Sequence, residues 1–115
     1  MPTELPVLDT AVAGCCSPIT GGVMNDSEAT SLAAKFKAMG DPTRLRLLSL
    51  VAASEGGEAC VCDLNDQLDL SQPTVSHHLK LLVDAGLLTR SKRGVWSYYA
   101  LVPGALPALA DTLQV

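Results

Sequence analysis

The stretch over residues 41–53 constrains the fold more than any other part of the chain. Asp41-Pro42 predicts a helix start, because the carboxylate accepts from free helix N–H groups and proline takes a first-turn position where its missing donor costs nothing. Leu45, Leu47, Leu48, Leu50 and Val51 then cover most of the helix circumference, the pattern of a central helix buried almost all round. Other elements must surround it. A chain of 115 residues supplies them from one compact domain and leaves no room for two. In so small a domain the first and last helices are expected to finish burying their apolar faces against a second copy.

The surrounding elements can be read in turn. A first helix is predicted from residue 27, with Ser27 as cap, Glu28 at the positive end of the dipole, and Leu32, Phe36 and Met39 along one face until Gly40. After a loop containing Gly56 and Gly57, a short helix over residues 60–68 precedes another over 71–84 that is capped by Ser71. Two such helices joined by a tight link form a helix-turn-helix. Strands over 87–92 and 95–101, joined at Arg93-Gly94, make a hairpin wing. Pro103 opens a last helix lined by Leu106, Leu109 and Leu113, with Pro107 weakening its first turn. Residues 1–26 hold Pro2, Pro6, Gly14, Pro18, Gly21 and Gly22 without periodicity and read as a mobile arm carrying Cys15 and Cys16; residues 27–115 are the folded domain. The fold class is therefore mainly α with a small β-hairpin: a winged helix-turn-helix of five helices and a two-stranded wing, dimerised through its first and last helices.

The net charge of −4 seems unsuited to nucleic acid, yet residues 71–101 set Lys80, Arg90, Lys92 and Arg93 against Asp84 alone. A basic face on an acidic body follows. In the 71–84 helix Val75, Leu79 and Leu82 form the buried stripe, with His78 leaning toward it in a packing role. The other side carries Ser71, Gln72, Thr74, Ser76, His77 and Lys80, groups that can contact base edges or phosphates, while Arg90, Lys92 and Arg93 tip the wing. Double-stranded operator DNA is the expected partner. No apolar stretch approaches the roughly 20 residues of a membrane span, and the N-terminus lacks a basic-then-apolar signal, so a cytoplasmic protein is expected.

In a reducing compartment the four cysteines read as thiolate donors, and their grouping as Cys15-Cys16 and Cys60-x-Cys62 is the informative part. The start of the 60–68 helix is expected to lower both thiol pKa values below about 8.5. Residues two apart on a regular helix point about 200° from each other, so Cys60 and Cys62 can share one soft ion only if the first turn is irregular. Cys15 and Cys16 would then supply further sulfur. A nucleophilic enzyme is not expected, because no cysteine is followed by an anion-binding loop, and no organic cofactor is implied.

The run from Phe36 through Asp41-Pro42-Thr43-Arg44-Leu45 to Leu48, the Leu70-Ser71-Gln72-Pro73-Thr74-Val75-Ser76-His77-His78-Leu79 run, and Glu58-Ala59-Cys60-Val61-Cys62-Asp63-Leu64 resemble the ArsR/SmtB family of metal-responsive repressors. The resemblance implies a homodimer that blocks transcription until Cys15, Cys16, Cys60 and Cys62 capture an ion. Two departures bear on which ion. Some arsenic-sensing relatives place a third cysteine where this chain has Asn65, and cadmium- and lead-sensing relatives space their arm cysteines, here adjacent. A three-sulfur site for As(III) or Sb(III) is favoured, since adjacent thiols on an arm suit a pyramidal centre. Cd(II) or Pb(II) bound by all four sulfurs, and thiol-redox release, are the alternatives. The zinc ligands of other relatives are missing, because the last helix offers only Asp111.

Overall fold

The computed structural model describes residues 18–114, so Cys15 and Cys16 lie outside the described residues. Five helices, α1 (Asp26–Met39), α2 (Pro42–Ala53), α3 (Val61–Leu68), α4 (Gln72–Asp84) and α5 (Ala105–Thr112), accompany three strands, β1 (Glu58–Cys60), β2 (Leu88–Arg93) and β3 (Trp96–Leu101). The described chain divides into two compact units, one of residues 35–103 and one of residues 18–34 with 104–114.

In the larger unit the expected wing gains a third strand. β1 pairs antiparallel with β3 and gives the order β1-β3-β2, with Cys60 opposite Tyr98 and Glu58 opposite Ala100. The turn lies one residue later than expected. Arg93 faces Trp96 across Gly94 and Val95, and Gly94 takes the positive φ of 66° that a tight hairpin needs.

Both expected caps of this unit form. The Arg44 N–H donates to Asp41 Oδ2 at 3.1 Å, and the Thr74 N–H donates to Ser71 Oγ at 3.4 Å. Between α3 and α4, Asp69 adopts the left-handed conformation (φ 54°, ψ 41°) and its N–H returns to the Asn65 carbonyl, closing α3 and redirecting the chain. Leu47, Leu48 and Val51 of α2, Leu64 and Leu68 of α3, and Val75, Leu79 and Leu82 of α4 are buried, joined by Leu87, Leu88 and Tyr99. The all-round burial expected for α2 is not observed. Leu45 is 49% exposed, because the sheet and α4 pack against only part of the helix.

In the smaller unit the first helix starts one residue early, and its cap is Asn25 rather than Ser27. Glu28 N–H donates to Asn25 Oδ1 while Asn25 N–H donates to Glu28 Oε1, a reciprocal capping box. Residues 18–25, assigned from sequence to the arm, include a single 3-10 turn (Ile19–Gly21), and Thr20 donates its hydroxyl to the Gln114 carbonyl at 2.9 Å. The last helix tolerates Pro107 in its first turn and buries Leu109 and Thr112, while Leu113 falls just beyond it, exposed. No helix of the described residues is long and apolar enough to cross a membrane.

Candidate functional site

The α4 side chains separate as the periodicity requires. Val75, Leu79 and Leu82 point inward, and Ser71, Gln72, Thr74, His77 and Lys80 are exposed with Ser76 half-buried beside them. A groove of about 600 Å³ runs between α4 and the hairpin, lined by Gln72, Ser76 and Lys80 from the helix and by Arg90, Trp96 and Ser97 from the strands. Lys80 is paired at 2.8 Å with Asp84, one turn along, in an exposed contact that water screens. Arg90 donates to Ser97 Oγ at 3.3 Å and stays on the groove side, and Lys92 is exposed on the same strand.

Arg93 does not join this group. Both of its terminal nitrogens donate to Glu58, at 2.5 and 2.8 Å, and its guanidinium carbon sits 4.5 Å above the centre of the Tyr98 ring. The bond from Arg93 holds the Glu58 carboxyl below the usual carboxylate range, and Glu58 in turn raises the guanidinium. His78 leans inward as expected and packs through a polar contact. It is half-buried, and its Nδ1 lies 3.1 Å from Nη1 of Arg44, which also donates through Nε to the Ala38 carbonyl. This contact ties α4 to the start of α2 through a polar pair.

Cys60 and Cys62 are both free thiols. Cys60 ends β1 with extended backbone and caps α3, its Sγ accepting the Cys62 N–H at 3.4 Å. It is therefore not a helical residue, and the divergence expected of two positions on one helix does not apply to this pair. The expectation of two lowered thiol pKa values fails at Cys62. Its hydrogen bond to the Cys60 thiol favours the neutral form and pushes the Cys62 thiol up, burial adds to this, and nearby negative charge does the same. Cys60 is only 6% exposed, but it borders a cleft of about 510 Å³ together with Glu58, Asp63, Asp66 and Tyr98. Among the described residues no three His, Cys, Asp or Glu side chains converge as metal ligands. What the described chain offers an ion is thus two free thiols two residues apart at the start of α3, the donor type that selects soft ions.

Sequence reasoning missed Glu58, Tyr98 and Arg44 as parts of this arrangement. Alternation along an extended Glu58-x-Cys60 places the carboxylate on the sulfur's face, but only once the segment is known to be a strand.

Residues 41–90 match the family described as bacterial regulatory protein, arsR family. The arsenical resistance operon repressor of Staphylococcus xylosus is 44% identical over 80 residues, covering 70% of this chain and 74% of that protein. This chain belongs to the arsR family. It is a transcriptional regulator and not an enzyme. The arsenical resistance operon repressor of Escherichia coli (strain K12) is 51% identical over 75 residues, which span 65% of this chain and 62% of that one. Among solved structures, the AntR antimony-specific transcriptional repressor superposes with a TM-score of 0.65 at 30% identity, covering 79% of this chain and 81% of the other. The winged helix architecture of this arsR-family chain is shared with such neighbours.

Proposed function

We propose that the protein is a cytoplasmic, homodimeric repressor that occupies operator DNA and leaves it when its thiols capture As(III) or Sb(III). The observation that carries this reading is the Cys60-x-Cys62 pair at the start of α3, where Cys60 Sγ accepts the Cys62 N–H, on the helix packed directly against the DNA-reading α4. Ser71, Gln72, Thr74, Ser76 and His77 would face the major groove, with Lys80, Arg90 and Lys92 against phosphates. Cys15 and Cys16, which precede the described residues, would complete a three-sulfur site with Cys60 or Cys62. The names of the relatives, which speak of arsenical resistance and antimony, support the metalloid over Cd(II) or Pb(II).

The raised Cys62 thiol is compatible with this chemistry. Arsenite reaches the protein as As(OH)3, and each thiol that displaces a hydroxyl group sends its proton away in the departing water: As(OH)3 and three thiols give three As–S bonds and three waters. No free thiolate has to accumulate beforehand. A divalent cation must instead expel each proton into solvent.

The test uses a duplex selected by the reduced protein from a randomised pool, with binding followed by fluorescence anisotropy. Arsenite and antimonite should release it; Cys15→Ser and Cys16→Ser together should abolish release, and of Cys60→Ser and Cys62→Ser the one that removes the third sulfur should abolish it too. Release by peroxide but not by arsenite under reducing control would support redox sensing instead. Arsenite acting equally on every variant would remove the site.

A further inference from the structure

The three-stranded sheet separates two surfaces. Glu58 and Cys60 share one face of β1, because residues two apart on a strand do, and the register carries that face across β3 through Tyr98 and across β2 through Ser91 and Arg93. This is the face of the sulfur-bordered cleft. Arg90, Ser97 and Tyr99 alternate to the opposite face and line the groove beside α4. Two routes can therefore carry a change at the sulfurs to DNA: along α3 to α4, or through the sheet to the wing.

The second route has a dedicated side-chain connection. Arg93, at the very end of β2, reaches over β3 to grip Glu58 on β1 with two hydrogen bonds, its guanidinium lying on the ring of Tyr98, the residue that faces Cys60. A fork-to-carboxylate contact of this kind fixes orientation as well as distance. It joins the two outer strands directly above the sulfur's cross-strand neighbour. Trp96 sits opposite Arg93 at the tip, half exposed.

Resting on the metalloid reading above, we propose that Glu58 and Arg93 are positioning residues that pass the state of the Cys60 sulfur to the wing. In the thiol form Cys60 Sγ accepts the Cys62 N–H and holds the end of β1. Bond formation at that sulfur engages its lone pair and moves the end of a strand only three residues long. Glu58, two residues back on the same strand, moves with it, and Arg93 transmits the displacement to the turn. The contact is a coupling device and not a DNA contact, which accounts for a wing arginine turned away from the reading face.

Trp96 is the only tryptophan in the chain, so its emission reports on the wing tip without DNA present. Full-length wild type, Glu58→Gln and Arg93→Lys are titrated with arsenite, following sulfur–arsenic absorbance for binding, Trp96 emission for the wing, and release of the selected duplex. Both substitutions are at partly exposed positions and leave the core intact. Expected is near-wild-type arsenite binding in all three, a Trp96 response in wild type alone, and release falling from tens-fold in wild type to below about threefold in either variant, within the usual span of about 5–150-fold for such couplings. The double variant should lose no more than either single one, as partners in one contact do. A Trp96 response of wild-type size in Glu58→Gln, or loss of arsenite binding in that variant, overturns the proposal. If wild type keeps its duplex in arsenite while Trp96 still responds through Glu58, the connection stands and the reading of metalloid-driven release falls.

Discussion

Leu64 is the side chain through which α3 grips the interior, and replacing it with alanine tests whether the sulfur-bearing helix is held by packing. Its side chain is fully buried. Leu64→Ala removes three carbons, about 2.4 kcal/mol at about 0.8 kcal/mol per buried methylene, and the unfilled space adds to that, within the range of about 2–5 kcal/mol for such truncations. A loss of about 3 kcal/mol is expected. With a urea dependence of about 2 kcal/mol per molar, the unfolding midpoint should fall by about 1.5 M at unchanged slope. The assay is urea unfolding followed by circular dichroism with reductant present, at one fixed protein concentration because association shifts apparent stability. Val95→Ala, at an 84% exposed residue of the wing tip, serves as the control and should cost no more than about 0.5 kcal/mol. Leu64→Met, which keeps the volume, should cost less than about 1.5 kcal/mol. Equal midpoints for Leu64→Ala and Val95→Ala would refute the assignment of Leu64 to the core.

Three further outcomes follow from single contacts. The carboxyl of Asp41 is held below its ordinary value of 3.8, chiefly by the Arg44 backbone N–H, so its stabilisation is complete above that value and fades as pH falls through the lowered folded one. The gap in thermal midpoint between wild type and Asp41→Asn should therefore narrow on acidification below pH 3.8, and a gap independent of pH would contradict the cap. Lys80→Ala should weaken selected and random duplexes alike and reduce the salt slope of binding by about one counterion; a change confined to the selected sequence would place Lys80 at a base instead. Trp96 borders the groove beside α4, so duplex binding should shield its emission from acrylamide, and unchanged quenching would put the wing outside the complex.

The parts of the fold that were legible in the sequence are those with local causes. Asp41-Pro42 and Ser71 announce their helices because a cap acts over three residues, and the Val75, Leu79, Leu82 stripe fixes which side of α4 meets solvent. β1 has no such signal. Three residues holding one side of a Cys-x-Cys pair become a strand only because Tyr98, far along the chain, accepts them as neighbours. What the sequence hides about the sulfur-bearing corner descends from that pairing: Cys60 as cap instead of helical residue, the raised Cys62 thiol, and Arg93 drawn to Glu58. The Asn25 box is legible in Asn25-x-x-Glu28, with Ser27 as a competing cap in the same turn. A helical wheel shows that the His78 ring leans inward but cannot show that an arginine from another helix meets it there.

Asp69 has a consequence for how this chain can change over generations. It is the only residue other than glycine with positive φ among the described residues, and it sets the bend between α3 and α4. Any replacement there other than glycine or asparagine asks a side chain to tolerate a crowded backbone, so drift at this corner is narrow even though its surroundings are open to water. Substitutions on either side meet no such backbone limit, so the corner between α3 and α4 is the least replaceable point of this exposed link.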